Sequence, residues 1–198
     1  LFRSYPTLPK LKLLASSRSA GKHISVGGND FVVEEATEKS FDGVDVAFIS
    51  ASSEVSHRLA PAAVAAGAVV IDDGSAFRME ETVPLVVPEV NGADVDWHQG
   101  IISIPNCSTT PMVMALWPIH LVNPVKRIVA ATYQSVTGTG AAAKVELDQQ
   151  AADVLAGKPT KAESYPHQIA FNLIPAIGSF REDGYSSEEV KMLNESRK

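Results

Sequence analysis

A strand, helix, strand pattern between residues 44 and 72 constrains the fold of this sequence more than any other feature. The apolar runs Val44–Ser50 and Ala68–Asp72 flank the alanine-rich stretch EVSHRLAPAAVAAG, which ends at Gly67. That stretch predicts an amphipathic helix with a glycine C-cap. A helix that joins two short buried strands is the βαβ unit, in which the strands run parallel. The pattern therefore predicts an α/β fold with a Rossmann-type doubly wound parallel sheet.

The remainder of the first half carries more short apolar runs of the same kind. These runs predict buried strands at Lys12–Ala15, Phe31–Glu34, Leu85–Pro88 and Ile101–Ile104. Together with the βαβ unit they indicate a dinucleotide-binding domain over residues 1–105.

The second half has longer elements. We expect a strand over residues 126–136, a helix ending at Gly157, a polar loop over 158–168 and a short strand over 171–175. A last helix is expected over 186–198, where Ser186 and Glu189 form a capping-box pattern. Residues 106–198 are accordingly assigned to part of an α+β substrate/dimerisation domain.

Composition narrows the class of protein. The formal net charge is -6 and no basic stripe is present, so we expect no nucleic-acid partner. No apolar run reaches the roughly 18 to 20 residues of a membrane span, and the first ten residues lack the features of a signal peptide. The single cysteine cannot form an internal disulfide, which favours a reducing, cytoplasmic location.

That cysteine lies where a predicted strand gives way to a predicted helix. Cys107 follows Asn106 and precedes Ser108 and Thr109, either of which can serve as N-cap, with Pro111 in the first turn. Backbone N–H groups at a helix N-terminus stabilise a thiolate and can hold an oxyanion. The alternative is a structural cysteine, but its polar neighbours argue against apolar burial. We interpret Cys107 as a reactive nucleophile.

Several separated motifs then point to one family. PNCST at 105–109 is preceded by VVPEVN and followed by TYQSVTGTGA, FNLIPAIGSF and EDGYSSEEVKMLNESRK. In order and spacing these motifs resemble the aspartate-semialdehyde dehydrogenase family, and the resemblance covers essentially the whole chain. It implies an NADP-dependent enzyme that converts L-aspartyl-4-phosphate to aspartate semialdehyde and phosphate through a cysteine thioester. It also implies a homodimer or homotetramer and a place in lysine, threonine and methionine biosynthesis.

The resemblance also assigns roles to individual residues. It implies that Asn106 and Gln134 assist Cys107, and that Arg78 binds phosphate. Glu188 and Lys191, three apart on one helix face, are expected to meet the substrate amino group and its phosphate or carboxylate. Each role has a structural alternative. Gln134 would be an amide that satisfies strand-end backbone groups, Arg78 a surface arginine, and Glu188 with Lys191 a solvent-exposed ion pair.

Cofactor binding is predicted from three segments. The segment after the first strand has no acidic residue, whereas Arg18 with Ser16 and Ser19 can accept a 2′-phosphate, which favours NADP over NAD. The resemblance adds contacts from two further places along the chain, namely Ser50 and Ser53, and Thr137 with Gly138. For the first segment the alternative is a polar turn with a solvated arginine.

The sequence departs from the family pattern at two positions, and it lacks several features of the family. Gly74 and Thr137 stand where the family often has serine. The glycine-rich pyrophosphate turn expected before Leu1, and the arginine and acid/base histidine expected beyond Lys198, are missing, so we expect a partial chain that is inactive alone. None of the five histidines matches the family motif, and their spacing suggests no metal site. The alternatives are a related reductase such as N-acetyl-glutamyl-phosphate reductase, or a non-catalytic binding fragment.

Overall fold

The computed structural model describes residues 10–198. Six strands and five α-helices in this part of the chain form the α/β fold that the sequence predicts. The strands are β1 (Leu13–Ala15), β2 (His23–Val26), β3 (Asn29–Glu35), β4 (Val46–Ile49), β5 (Val69–Asp72) and β6 (Ile101–Ser103). The helices are α1 (Ser53–Ala65), α2 (Pro88–Asn91), α3 (Thr109–Val122), α4 (Ala141–Leu155) and α5 (Ser187–Glu195). Residues 1–9, which make up nearly all of the segment that lacks signal-peptide features, lie outside the described residues.

The predicted βαβ unit is confirmed. Strands β4, β5 and β6 form a parallel sheet in that order, with Val46 opposite Val69 and Val70 opposite Ile101. Helix α1 connects β4 to β5, and Gly67, just beyond its end, has a φ of +94°. Glycine adopts this left-handed conformation without steric cost, which is why the helix can end there.

A second small sheet has the order β1-β3-β2. Strand β1 pairs parallel with β3, as expected for a dinucleotide-binding fold, but β2 pairs with β3 as an antiparallel hairpin. The hairpin turn consists of Gly27 and Gly28, both with positive φ. A Gly-Gly pair between apolar runs is a hairpin signal, and it was overlooked in the sequence.

By backbone contacts the chain separates into two compact units. One runs up to Asn106 and includes Lys198, and the other is Cys107–Arg197. The hydrophobic core of the first unit packs α1 against the β4-β5-β6 sheet, and it includes Ala47, Ile49, Leu59 and Val70. Burial of these apolar side chains is the main force that holds helix and sheet together.

Three predicted strands are wrong. Within residues 10–198, Leu85–Pro88 makes only one bridge, from Leu85 to Ser103. The Asn91 side chain instead binds the Val87 N–H (2.8 Å) and the Leu85 carbonyl (2.9 Å). These are the backbone groups that a strand would need.

The other two lie in the second unit. Residues 126–136 have no strand partner within 10–198, and Val129 and Tyr133 are 83% and 87% exposed. Residues 171–175 are irregular because Phe171 has a φ of +57° and the Asn172 side chain bonds nearby backbone. In both segments β-propensity alone does not make a strand, since a strand requires a hydrogen-bonded neighbour.

The helices of the second unit agree better with the sequence. Helix α4 ends at Leu155, just before Gly157, and the segment 158–168 is a loop. Helix α5 begins with the predicted capping box, in which the Ser186 hydroxyl accepts from the Glu189 N–H and the Glu189 carboxylate accepts from the Ser186 N–H. It ends at Glu195 rather than continuing to Lys198. Within the described part of the chain, no helix is long and apolar enough to cross a membrane.

One buried side chain organises the loop beside α4. The amide of Gln150 donates to the Lys161 carbonyl (2.6 Å) and accepts from the N–H groups of Ile169 (2.9 Å) and Ala170 (3.1 Å). Gln150 is 1% exposed, so water cannot replace these bonds.

A neighbouring carboxylate holds the same loop from the surface. Glu146 accepts the backbone N–H groups of Glu163 (3.1 Å) and Ser164 (2.6 Å). Hydrogen bonds from Ser164, first from its side chain and then from its backbone, hold the pKa of Glu146 below its usual range. In the same loop, the Tyr165 hydroxyl lies 2.7 Å from the Thr139 hydroxyl.

We predict that Gln150→Leu lowers the free energy of unfolding by about 2 to 4 kcal/mol, because it leaves buried backbone donors and an acceptor without partners. The adjacent Gln149→Leu, at an exposed position of the same helix, should change it by less than about 0.5 kcal/mol. Urea denaturation measures both values. Equal effects of the two substitutions would contradict the role assigned to Gln150.

Candidate active site

The carboxyl edge of the β4-β5-β6 sheet gathers polar side chains in the first unit. The Ser50 hydroxyl, just after β4, donates to the carboxylate of Asp73, just after β5, at 3.0 Å. The hydroxyls of Ser53 and Ser75 are 3.1 Å apart. Parallel strands end on the same edge, and the crevice beyond that edge is where open α/β sheets bind ligands. The predicted cofactor residues Ser50 and Ser53 therefore lie at the edge that can hold a ligand.

Arg78 lies at the same edge and is 7% exposed. Its Nε donates to the Ile104 carbonyl (2.9 Å), and its Nη2 donates to the Asp73 carbonyl (2.7 Å). These bonds fix the guanidinium beside the ends of β5 and β6, so Arg78 is not the surface arginine of the alternative interpretation. Asn106, which follows β6 and ends the first unit, is also buried, at 6% exposure.

The structure accounts for one departure from the family pattern. A Cβ atom placed on Gly74 would lie 3.2 Å from both the Asp72 carboxylate and the Ser56 hydroxyl, which are themselves hydrogen-bonded at 2.9 Å. This spacing is tighter than ordinary van der Waals contact. A serine here would therefore press on the buried Ser56–Asp72 pair.

In the second unit, Cys107 is exposed and lies two residues before the start of α3. Ser108 occupies the N-cap position, but its side chain makes no capping hydrogen bond, and Thr109 is already the first helical residue. The predicted N-cap position is therefore confirmed at Ser108, but the hydroxyl does not cap the helix. The Ser108 hydroxyl donates instead to the Glu188 carboxylate at 3.3 Å.

Glu188 contacts both Ser108, which follows Cys107, and Lys191. One carboxylate oxygen accepts from Ser108, and the other lies 3.3 Å from the Lys191 ammonium. The Glu188 side chain is 11% exposed and that of Lys191 is 41% exposed. The pair is thus more than a solvated surface ion pair, and the second unit brings Cys107, Glu188 and Lys191 into one neighbourhood.

The predicted adenosine-binding segment forms a turn directly after β1. The Ser16 carbonyl accepts from the N–H groups of Ser19 (2.8 Å) and Ala20 (3.2 Å). Ser16 and Arg18 are exposed and Ser19 is half-buried. These side chains lie after the first strand, where a dinucleotide-binding domain contacts the adenosine ribose, and their role in cofactor binding stays a prediction.

Gln134 is exposed in the irregular segment before α4, where its amide donates to the Thr132 hydroxyl at 3.3 Å. Thr137 and Gly138 belong to a 3₁₀ turn, Val136–Thr139, in which the Ser135 hydroxyl accepts from the Thr137 N–H at 3.4 Å. These contacts do not bring Gln134 to Glu188 or Lys191, so its catalytic role stays a prediction.

Two residues of this region were missed in the sequence. The Thr109 hydroxyl donates to the Glu195 carboxylate at 2.8 Å, and both side chains are buried. A signal was present, since Glu195 follows Glu188 by seven residues and so falls on the same face of α5.

Two family profiles match almost the entire chain. The profile "Semialdehyde dehydrogenase, NAD binding domain" matches residues 1–98, and "Semialdehyde dehydrogenase, dimerisation domain" matches residues 116–198. The first unit is therefore an NAD(P)-binding domain of Rossmann type, and the second carries a dimerisation domain.

Individual relatives agree with the profiles. The aspartate-semialdehyde dehydrogenase of Bacillus subtilis (strain 168) is 48% identical over 195 residues, which cover 95% of this chain and 56% of that protein. Two crystal structures of aspartate semialdehyde dehydrogenase II from Vibrio cholerae, one of them complexed with ASA, superpose with TM-scores of 0.92 at 44% and 43% identity. Each covers 96% of this chain, which spans 58% and 57% of those chains. The chain belongs to the aspartate-semialdehyde dehydrogenase family.

We predict that iodoacetamide alkylates Cys107 about 2 to 5 times faster at neutral pH than it alkylates a cysteine in an unstructured peptide. The reason is thiolate stabilisation by the helix N-terminus, worth roughly 0.3 to 1 kcal/mol. Mass spectrometry follows the label, and Cys107→Ser should take none because no other cysteine exists. A rate at or below that of the peptide would contradict thiolate stabilisation.

Proposed function

We propose that the protein catalyses the reversible, NADP-dependent conversion of L-aspartyl-4-phosphate to L-aspartate 4-semialdehyde and phosphate. The observation that carries this proposal is the exposed Cys107 at the start of α3, with the Glu188–Lys191 pair tied to the adjacent Ser108. Family membership supports the same reaction. Because the chain spans just over half of its relatives, the activity belongs to the protein from the complete reading frame, and residues 1–198 alone are expected to be inactive.

In the biosynthetic direction the Cys107 thiolate attacks the acyl carbon of the aspartyl phosphate. A carbon–sulfur bond forms, the carbon–oxygen bond to phosphate breaks, and phosphate leaves with the bonding electrons. The enzyme then carries a thioester on Cys107. Backbone N–H groups at the start of α3 are suited to hold the oxyanion that develops during the attack.

When bound, NADPH supplies the hydride that reduces the thioester carbonyl carbon. The carbon–sulfur bond then breaks, the Cys107 thiolate is regenerated and the aldehyde is released. A thiolate is a good leaving group, which makes the covalent route favourable in both directions. Asn106 and Gln134 are proposed to orient the acyl group, and no residue of this chain is assigned as general acid or base.

The charges of the candidate substrate-binding residues suit the two ends of this substrate. Arg78, fixed by the Asp73 and Ile104 carbonyls, is proposed to bind the phosphate with its planar guanidinium. Glu188 is proposed to accept the substrate ammonium, and the partly exposed Lys191 to meet phosphate or carboxylate. The Glu188–Lys191 ion pair would then exchange its internal contact for contacts to the substrate.

The exposed Arg18, with Ser16 and Ser19, supports NADP rather than NAD, because a 2′-phosphate needs cationic and hydroxyl partners. Ser50, Ser53, Thr137 and Gly138 are proposed as further cofactor contacts. We also propose a cytoplasmic homodimer or homotetramer that serves lysine, threonine and methionine biosynthesis, in keeping with the dimerisation profile.

The test measures NADPH formation from aspartate semialdehyde by the protein from the complete reading frame. We expect turnover that requires phosphate and prefers NADP to NAD, and we expect Cys107→Ser to lower the rate by more than about a thousandfold. The substitution removes the thiolate but hardly changes side-chain volume, so folding is retained.

Three outcomes would contradict the proposal. Turnover without phosphate would exclude the acyl-phosphate product, and equal use of NAD would exclude the role of Arg18. Turnover only with the semialdehyde of acetylglutamate would assign the protein to the related reductase instead.

A further inference from the structure

The first turn of α3 is joined to α5 at two points within the second unit. The Ser108 hydroxyl donates to Glu188 at 3.3 Å, and the Thr109 hydroxyl donates to Glu195 at 2.8 Å. The second distance is near the optimum for a hydroxyl–oxygen bond, whereas the first is long. The Thr109–Glu195 bond is therefore the stronger of the two.

Burial increases the effect of the Thr109–Glu195 bond. Thr109 is 0% exposed and Glu195 is 6% exposed, so bulk water does not compete for their polar atoms. A buried carboxylate is costly unless it is hydrogen-bonded, and an apolar residue at this place would fill the space at lower cost. What the carboxylate adds is direction, because it fixes the rotation of the threonine side chain that donates to it.

Threonine transmits this constraint to the backbone. Its branched side chain has few accessible rotamers, so holding the Thr109 hydroxyl also holds its Cα–Cβ direction in the first turn of α3. Cys107 lies only two residues before Thr109 in the chain, just ahead of the helix. A displacement of about 1 Å at a reacting group can cost on the order of a hundredfold in rate.

We propose that Glu195 is a positioning residue for the nucleophile: through Thr109 it fixes the first turn of α3 and so the direction in which the Cys107 sulfur meets the substrate. This inference rests on the proposed function. The inference assigns two different roles to residues on one face of α5. Glu188 and Lys191 bind substrate, whereas Glu195 touches no substrate and acts through Thr109.

The test compares Thr109→Val, Glu195→Gln and the double variant in the protein from the complete reading frame. Thr109→Val keeps the shape but removes the donor, and Glu195→Gln keeps the shape but removes the charge that strengthens the bond. We expect kcat to fall by about 10 to 100 times in Thr109→Val, with KM for aspartate semialdehyde changed less than about twofold. The double variant should be no slower than Thr109→Val, because both changes act on the same hydrogen bond.

Two further variants separate positioning from general damage. Thr109→Ser retains a hydroxyl and should restore kcat to within about threefold of the unsubstituted protein, whereas Glu182→Gln removes an exposed glutamate and should change nothing. The rate of Cys107 alkylation without substrate should fall in the same order as kcat. This readout does not depend on turnover.

The outcomes that overturn the inference are distinct from those that overturn the proposed function. Unchanged kcat in Glu195→Gln and Thr109→Val, or additive losses in the double variant, would exclude a positioning role. If Thr109→Val does not fold, unchanged kcat and alkylation rate in Glu195→Leu, which removes the hydrogen-bond acceptor, overturn the inference equally. Absence of turnover in the unsubstituted protein, with the alkylation order retained, would overturn only the proposed function.

Discussion

Parallel pairing of β4, β5 and β6 is the constraint on which the first unit depends. Because the three strands run in one direction, their carboxyl ends meet at one edge, and the polar residues that follow them meet there too. Ser50 reaches Asp73, and Arg78 is held by the carbonyls of Asp73 and Ile104. The apolar packing of α1 keeps that edge in register, so the burial of a few alanines and valines determines where a cationic side chain lies.

The second unit depends on carboxylates rather than on a sheet. Helix α5 places Glu188 and Glu195 against the hydroxyls of Ser108 and Thr109, and so holds the turn that carries Cys107. The hydroxyl that would normally cap α3 is engaged by Glu188 instead. Two acidic side chains of α5 thus accept from hydroxyls at the start of the helix that follows Cys107.

The sequence predicted correctly those elements whose structure is determined by residues close together in the chain. The βαβ unit, the glycine beyond α1 and the Ser186–Glu189 capping box were predicted because each depends on residues close together in the chain. The strand expected at 126–136 was wrong because strand formation depends on a distant partner, and none of residues 10–198 supplies one. At the candidate site, the sequence indicated Cys107, Glu188 and Lys191, but the Thr109–Glu195 bond joins positions 86 residues apart and could not be read from spacing alone.

The central claim is that Cys107 carries the acyl group, and intact-protein mass spectrometry tests it most directly. The protein from the complete reading frame would be mixed with aspartate semialdehyde and NADP in the absence of phosphate, so that the acyl-enzyme accumulates, and then quenched in acid. The account predicts an added mass equal to one aspartyl acyl group, located on the peptide that contains Cys107 and released when phosphate is supplied before the quench. An adduct on another residue, or turnover with phosphate but no adduct without it, would contradict the account.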